Sequence, residues 1–539
     1  MKKISIILAA IVFLGTSCKK YLDINTNPNT ATSSTPELVL PQSIVYTAGV
    51  INTYNSYGAQ LGGYMANAYG YGGFGNNFSY TFSSSDYSGL WSASYDVLND
   101  LQYVLNSTEG NRAYYSYYRA AALVLQVYNY QMLVDTYNNI PFTNALKGVA
   151  NLTPSYDDAK TIYPKLSNML DTAISYINNA PSSALAMSVG KDPLFCQAAT
   201  TVAANSTLWK KLANTLKLRL IIKANSGSVT MPSSSFDAAG FLTVDATINP
   251  GYSRSTASSG TQVNPEFNTW VATYSGGKGN RSWVPTKFIF AFYDGQKLID
   301  QDRGKAIFYN YPTTGVSQLG NITSGGSSNG NTSNWYCSTF GASTALTSVG
   351  SNIGVMKGPD MAQPLMTAAE SYFLQAEATV RGIPLTGSGV SATAKALFES
   401  GVTASFNYLF KIPNGTVATG YNAATSFAAY KTANATSYLV AYDLALTTPQ
   451  QIEAIITQKY IALNMINSNE GWNEYRRTGY PAIVNGSNNG ILSFASTQST
   501  ATAADKLPKR IQYPVSEFSY NSDNVPTVNI FSDKIFWGQ

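Results

Sequence analysis

The chain has 539 residues, a formal net charge of +5 and only 12% charged residues. It contains no histidine, which excludes Ser-His-Asp and Cys-His catalysis and also His-ligated zinc, iron or copper. The sequence has no basic run and no CxxC spacing, so we predict no nucleic-acid partner, no metal site and no cofactor. Cys196 and Cys337 could pair in an oxidising compartment, which the sequence leaves open.

The N-terminus has the organisation of a secretory signal. Residues 1–17 combine a short basic start, an apolar run and three small residues, and Cys18 follows directly. The apolar run is about half of the ~20 residues that a spanning helix needs. We therefore predict a lipoprotein that is cut before Cys18 and lipidated on that thiol, although Gly15 stands where the usual lipoprotein box has leucine. An ordinary signal peptide with an incidental cysteine is the alternative.

Residues 18–36 are rich in Asn, Thr, Ser and Pro and are predicted to form a flexible tether. The alternation of Asp23 with three asparagines superficially resembles the start of a calcium loop. Such a loop needs glycine at its sixth position and glutamate at its twelfth, where this chain has Pro28 and Ser34. Polar turns are therefore the favoured interpretation of this segment.

Five segments carry the three- and four-residue spacing of apolar side chains that predicts amphipathic helices. They are residues 118–137, 161–178, 208–224, 364–381 and 448–467. Pairs of these predicted helices resemble tetratricopeptide units, although the sequence shows no strict 34-residue period.

Long irregular stretches alternate with these helices, at residues 58–86, 226–280 and 313–352. Loops of this length are usually functional or flexible. We predict one α-helical domain over residues 37–539, with loop-rich insertions at about 226–360. Two helical domains joined near residues 230–360 are the alternative.

Several sequence blocks, in order along the chain, resemble one known family. They are CKKYLDINTNPN from residue 18, YRAAALVLQVYNYQMLVDTYNNIPFTNAL from 118, LWKKLANTLKLRL from 208, PLMTAAESYFLQAEATVRG from 364, IITQKYIALN and WNEYRRTGYP within 455–481, and LPKRIQYP from 507. Together they resemble the SusD/RagB family of outer-membrane nutrient-binding lipoproteins from Bacteroidetes, in the branch called SusD-like 2. Asn138 replaces a glycine that the family usually has after its early helix.

The resemblance implies a mostly α, SusD-like fold with tetratricopeptide-like helix pairs and long irregular loop insertions. It also implies a lipid-anchored protein of the cell outer membrane that faces the exterior. Its implied partner is a SusC-like TonB-dependent β-barrel transporter, over which it would sit as a lid. The ligand implied is an oligosaccharide or a peptide.

Pairs of glutamates in the sequence raise the question of glycosidase catalysis, which needs two carboxyl groups. Glu370 and Glu377 are two helical turns apart, ~10.5 Å along a helix axis, near the roughly 5–10 Å of a glycosidase pair. They lie in an alanine-rich packing helix, so we favour buried hydrogen bonding. Glu470 and Glu474 are expected to pair with Arg476 or Arg477, which suit binding of loop carbonyls and carboxylates. We predict that the protein is not an enzyme; a carboxylate-based surface glycoside hydrolase and a scaffold lipoprotein of the transporter complex are the alternatives.

Aromatic residues make up 13% of the chain, with 38 tyrosines, a composition that favours binding of neutral polar ligands such as sugars. The candidate ligand-binding residues lie in or beside the irregular stretches: Tyr69, Tyr71, Phe74, Asn76, Asn77, Trp270, Trp283, Trp335 and Tyr336. The alternative for each is that it pins a long loop to the helical body. We expect at least one or two of them to be exposed.

Overall fold

The computed structural model describes residues 34–187, 189–195, 197–253, 262–328, 333–337 and 352–539. The predicted signal peptide, the lipidation site Cys18, the tether up to residue 33 with its calcium-like pattern, and Cys196 lie outside the described residues. Among the described residues, no helix combines the length and the apolarity needed to span a bilayer.

Helices dominate the described part of the chain. In chain order they are α1 (Pro36–Leu61), α2 (Asn76–Ser79), α3 (Ser88–Ser107), α4 (Ser116–Tyr137), α5 (Ala159–Asn178), α6 (Val202–Ser226), α7 (Pro265–Trp270), α8 (Lys287–Phe290), α9 (Gln301–Ile307), α10 (Ala368–Val380), α11 (Ala394–Phe410), α12 (Ala423–Ala433), α13 (Thr448–Ala462), α14 (Ser468–Thr478) and α15 (Val515–Tyr520).

Four short strands in the described segments form two antiparallel pairs. They are β1 (Met65–Asn67), β2 (Ala246–Ile248), β3 (Trp283–Pro285) and β4 (Gln363–Met366). β1 pairs with β3 and β2 pairs with β4. Since both pairs join segments that are far apart in sequence, they fasten the irregular stretches to the helices.

The long helices pack against one another in a closed ring. α1 packs against α3, and α3, α4 and α5 each pack against the next long helix, which brings the order to α6. α6 then contacts α10, α10 contacts α13, and α13 contacts α14, which returns to α1. The largest hydrophobic cluster accordingly includes residues from Leu40 to Trp537. The mostly α class predicted from the sequence is confirmed.

All five predicted helical segments contain a helix, and three of them have wrong boundaries. The segment 208–224 lies within α6, which begins earlier, at Val202, and ends at Ser226. Residues 363–366 form β4, because they pair with β2, and the helix starts only after Thr367, whose hydroxyl accepts a hydrogen bond from the Glu370 N–H. The last predicted helix ends at Ala462. Met465 has a positive φ of 57°, a conformation that no helix continues, and its N–H donates to the hydroxyl of Ser468, where α14 begins.

A buried set of charged side chains, here named the ionic core, lies where five of these helices meet. Its members come from α4, α6, α10, α13 and α14 and are Asp135, Arg219, Lys223, Glu370, Glu377, Lys459, Glu470, Glu474 and Arg477. The Lys223 ammonium donates to Asp135 Oδ2 at 2.8 Å and to Glu470 Oε2 at 2.7 Å. Each buried charge therefore meets its counterion on a different helix, as burial requires.

The second half of the ionic core is built on Arg477. Its two terminal nitrogens donate to the two oxygens of Glu377, both at 2.7 Å, in the bidentate geometry that suits arginine. Its Nε donates to Glu474 at 2.9 Å, and Lys459 donates to the same carboxylate at 2.7 Å. Burial acts to raise the pKa of Glu377, but Arg477 and Arg381 outweigh it and hold this pKa at about 2.

These contacts test the predictions that the sequence analysis made for the four glutamates. Buried hydrogen bonding is confirmed for Glu370, which accepts from Arg219 at 3.1 Å, and for Glu377. The pairing of Glu474 with Arg477 is confirmed, whereas an arginine partner for Glu470 is wrong. The partner of Glu470 is Lys223 on α6, whose ammonium donates to it in the first turn of α14. Arg476 instead donates to the backbone carbonyls of Asp135 and Lys509.

Candidate ligand-binding surface

The pairing of β1 with β3 brings two irregular stretches together. Asn67 lies opposite Trp283 in the register, and the Ala68 N–H donates to the Ser282 carbonyl at 2.8 Å just beyond the pair. The loop that leaves β1 and the loop that enters β3 therefore start from neighbouring backbone positions. The Tyr69 N–H donates to the Gly326 carbonyl at 3.1 Å, which adds a third loop to the same surface.

Three tyrosines stand exposed on these loops. Tyr69 is 51% exposed, Tyr71 is 44% exposed and Tyr274 is 43% exposed. The first two alternate with glycines, and Gly70 has a φ of +84°, which only glycine adopts without strain. Because glycine has no side chain to cover them, the neighbouring rings stay open to solvent. The expectation that at least one or two of the nine candidate residues are exposed is met by Tyr69 and Tyr71.

The five other aromatic candidates lie beneath this surface, each 7% exposed or less: Phe74, Trp270, Trp283, Trp335 and Tyr336. The ring centroids of Phe74 and Trp283 are 4.9 Å apart in an edge-to-face contact, and those of Trp270 and Trp335 are 5.8 Å apart. In this structure their rings pin the loops to the helical body, which was the alternative to ligand contact. A ligand role for them stays an untested prediction, and their burial disfavours it.

The two candidate asparagines hold local turns. Asn76 Nδ2 donates to Asp86 Oδ2 at 2.8 Å, and Asn77 Oδ1 accepts a hydrogen bond of 2.7 Å from the Tyr87 hydroxyl. Both are half-buried. Their side chains therefore shape the loop between β1 and α3 in this structure, and hydroxyl recognition by them also stays a prediction.

Arg281, which the sequence analysis did not single out, fixes the loop before β3. Its terminal nitrogens donate to the carbonyls of Trp270 at 2.9 Å and Val271 at 2.7 Å. Burial lowers the pKa of Arg281, and the nearby Tyr71 partly offsets this. Arg281 thus holds the start of the loop that carries Tyr274.

The sequence analysis also missed Tyr274. It lies in the run YSGGKG, which is rich in glycine like the stretch around Tyr69 and Tyr71. The same signal of an aromatic residue among glycines could have found it. We name the exposed set of Tyr69, Tyr71 and Tyr274 the tyrosine surface. Exposed phenol rings with backbone amides around them suit stacking against the apolar faces of sugars.

A family model described as "SusD-like_2: Starch-binding associating with outer membrane" matches residues 28–514 of this chain. No curated protein is significantly similar to the chain in sequence.

Several solved structures share the fold. A SusD homolog from Bacteroides uniformis is 22% identical with a TM-score of 0.62, covering 93% of this chain and 99% of that one. A chitin-binding SusD homolog from Flavobacterium johnsoniae is 19% identical with a TM-score of 0.62, covering 92% of this chain and 98% of that one. A SusD/RagB family protein from Bacteroides thetaiotaomicron is 18% identical with a TM-score of 0.62, covering 94% and 100%. At these identities the similarity establishes the fold.

Proposed function

We propose that this chain, which belongs to the SusD-like 2 family, is a surface-exposed, non-catalytic lipoprotein that binds glycan or other nutrient oligomers. It delivers them to a SusC-like TonB-dependent β-barrel transporter in the outer membrane. The observation that carries the binding proposal is the tyrosine surface, where three exposed rings stand on loops that β1 and β3 hold together. The starch-binding description of the family and the chitin-binding relative favour a glycan as the ligand.

The loops that carry the tyrosine surface are fixed to the helical body, and this favours ligand binding. The loops that carry Tyr69 and Tyr71 rest on Phe74 and Trp283, and the loop that carries Tyr274 is fixed by Arg281. A ring held in place loses little conformational entropy when a ligand stacks on it. An extended oligomer could therefore cross several such rings and gain affinity from each.

The surroundings of Glu377 and Glu470 support a non-catalytic role for these two carboxylates. A glycosidase needs one carboxyl group that keeps its proton near neutral pH and a second that is ionised. Glu377 has a pKa of about 2 and is bonded to Arg477. Burial raises the pKa of Glu470, but Lys223 and Lys459 outweigh it and hold this pKa well below its usual range. These buried, ionised groups serve as counterions.

Replacing Tyr69, Tyr71 or Tyr274 singly with alanine is expected to weaken glycan binding by about 1 kcal/mol each, roughly fivefold in Kd. The physical reason is the loss of a stacked ring whose loop stays in place. Isothermal titration with chito- and malto-oligosaccharides measures the effect. Tyr520→Ala, which removes an 80% exposed tyrosine on α15, is the matched control and should bind as the unaltered protein does.

Two outcomes would count against this proposal. Unchanged affinity in all three variants would remove the tyrosine surface as the binding site. Release of new reducing ends during incubation with the same oligosaccharides would show a glycoside hydrolase instead of a binding protein.

The anchor gives a second expected result. When the full chain is expressed in a Bacteroidetes host with an alkyne-labelled fatty acid, Cys18→Ala is expected to abolish acyl labelling and to release the protein from the membrane fraction. The reason is that two or three acyl chains hold a protein durably on a bilayer. Cys337→Ala is the control, because its thiol lies inside the fold and donates to the Ile353 carbonyl. Labelling that persists in Cys18→Ala would contradict the anchor.

A further inference from the structure

A small cavity lies away from the ionic core, between the end of α11, the strand β2 and the segment that precedes β4. Its volume is about 200 Å³. Its polar lining includes Lys357, Lys411, Asp245 and Gln197, and the ring of Tyr408 forms part of its wall. Pockets for drug-sized ligands typically occupy about 300–1,000 Å³, so this cavity suits a single small ring.

Lys357 is the most unusual residue of the cavity, because it is a lysine with only 5% of its surface exposed. Its ammonium donates to the backbone carbonyls of Tyr408 and Lys411, and so it caps the C-terminal end of α11. An ammonium has three donors, and these two carbonyls use two of them. Within the described residues Lys357 forms no ion pair.

The second ammonium of the cavity is already neutralised. Lys411 Nζ lies 2.7 Å from Asp245 Oδ2, and Asp245 Oδ1 accepts a hydrogen bond of 3.0 Å from the Ala368 N–H at the start of α10. Two cationic side chains and one carboxylate therefore share the cavity. When Lys357 is protonated, one positive charge is left without a counterion.

The burial of Lys357 and the charged groups around it together set its pKa. Burial lowers the pKa of Lys357 to about 7, Asp245 partly offsets the effect, and Lys411 adds to it. The thiol of Cys337 is the other titratable group that acts on this lysine, and it too favours the charged form. An anion bound in the cavity would stabilise the ammonium and draw in a proton.

The rest of the lining suits the body of a small ring. The Tyr408 ring centroid is 4.3 Å from Lys357 Nζ, so a carboxylate at the ammonium would leave its carrier beside an aromatic wall. Gln197 donates to the Pro413 carbonyl at 3.3 Å. Gln197 also borders a wider groove of about 730 Å³ beside the start of α1, which offers a route in from solvent.

We propose that this cavity is a second ligand site that binds one carboxylate-bearing ring of the size of a uronic acid. Lys357 holds the carboxylate, and Tyr408 packs against the ring. The site is independent of the tyrosine surface, so either site can bind its ligand when the other is disabled.

Isothermal titration of the purified chain with D-glucuronate and D-glucose tests this site. Glucuronate is expected to bind, with glucose at least about tenfold weaker, because only glucuronate supplies the missing negative charge. The protonated lysine is the binding form, so affinity is expected to be several-fold higher at about pH 6 than at about pH 8. Binding at about pH 7 should be accompanied by proton uptake, measured in buffers of different ionisation enthalpy.

Two variants locate the site. Lys357→Met is expected to abolish glucuronate binding. Since this lysine also caps α11, Ala362→Phe serves as the second variant, because it fills the cavity and keeps both ammonium groups; it too should lose binding. Lys431→Met, which alters a lysine paired with Glu399 on the surface, and Tyr71→Ala should bind glucuronate unchanged.

The site is overturned if glucuronate does not bind at up to about 20 mM, if glucose binds equally well, or if Ala362→Phe binds as the unaltered chain does. Loss of glucuronate binding in Tyr71→Ala together with normal binding in Ala362→Phe would place the sugar on the tyrosine surface, and this also overturns the cavity site. Failure of the cavity leaves the binding of neutral oligosaccharides to the tyrosine surface unaffected.

Discussion

Replacing Arg477 with methionine is expected to lower the free energy of unfolding by about 3–5 kcal/mol, the usual cost of leaving a buried charge without its partner. Arg477 is 3% exposed and is bonded to both Glu377 and Glu474. Methionine fills similar space and supplies no charge, so two buried carboxylates lose their shared cation. Urea unfolding followed by far-ultraviolet circular dichroism measures the change.

The pH dependence of this loss gives an independent check. The pKa of Glu377 is held at about 2, below its ordinary value of 4.5. A carboxylate with a depressed pKa contributes stability that is fully present above its unfolded pKa and is lost as the pH falls through its folded pKa. The difference between the unaltered chain and Arg477→Met should therefore be largest above about pH 5 and shrink toward pH 2.

Lys431→Met is the matched control, because it breaks the pair with Glu399, whose side chains are 39% and 28% exposed. Surface pairs contribute about 0–1 kcal/mol. If Arg477→Met cost no more than this control, the ionic core would not be what holds α10 and α14 together.

The ionic core also shows what a single sequence can and cannot predict. The leucine spacing within residues 208–224 predicted a helix, and α6 spans Val202–Ser226. Its charged residues Arg219 and Lys223 are buried, which the spacing does not reveal. Their counterions, Glu370 and Glu470, come from segments more than a hundred residues away. Only the tertiary fold decides whether a charge on a helix meets water or a partner.

The candidate ligand residues fall into an exposed group and a buried group for a related reason. The composition of the loops predicted that aromatic rings there were available to a ligand, and this holds for Tyr69 and Tyr71. Trp270 and Trp335 come from equally polar stretches and are buried against each other. A tryptophan gains more from burial than any other side chain of a long loop. Local composition therefore identified the loops, whereas which ring became an anchor depended on what each loop packs against.

Gly58→Ala is expected to destabilise the protein by about 3 kcal/mol, because α1 approaches the backbone of α14 at this residue. A Cβ added there would lie 2.2 Å from the Cα of Asn469 and 2.5 Å from the carbonyl carbon of Ser468. Those are backbone atoms, which cannot rotate away, so the two helices would have to separate. The contact is also held by Asn55, whose Oδ1 accepts a hydrogen bond of 2.7 Å from the Ser468 N–H.

Gly49→Ala on the same helix is the control. A Cβ at Gly49 meets nothing within 4 Å, so alanine there should leave stability unchanged or raise it by up to about 1 kcal/mol through its helix propensity. If the urea midpoint falls in Gly58→Ala and stays or rises in Gly49→Ala, the α1–α14 contact closes the ring of helices. Equal midpoints would contradict this. β1 follows α1 in the chain, and the loop with Tyr69 and Tyr71 comes directly after β1. Gly58→Ala should therefore also weaken oligosaccharide binding, whereas Gly49→Ala should not.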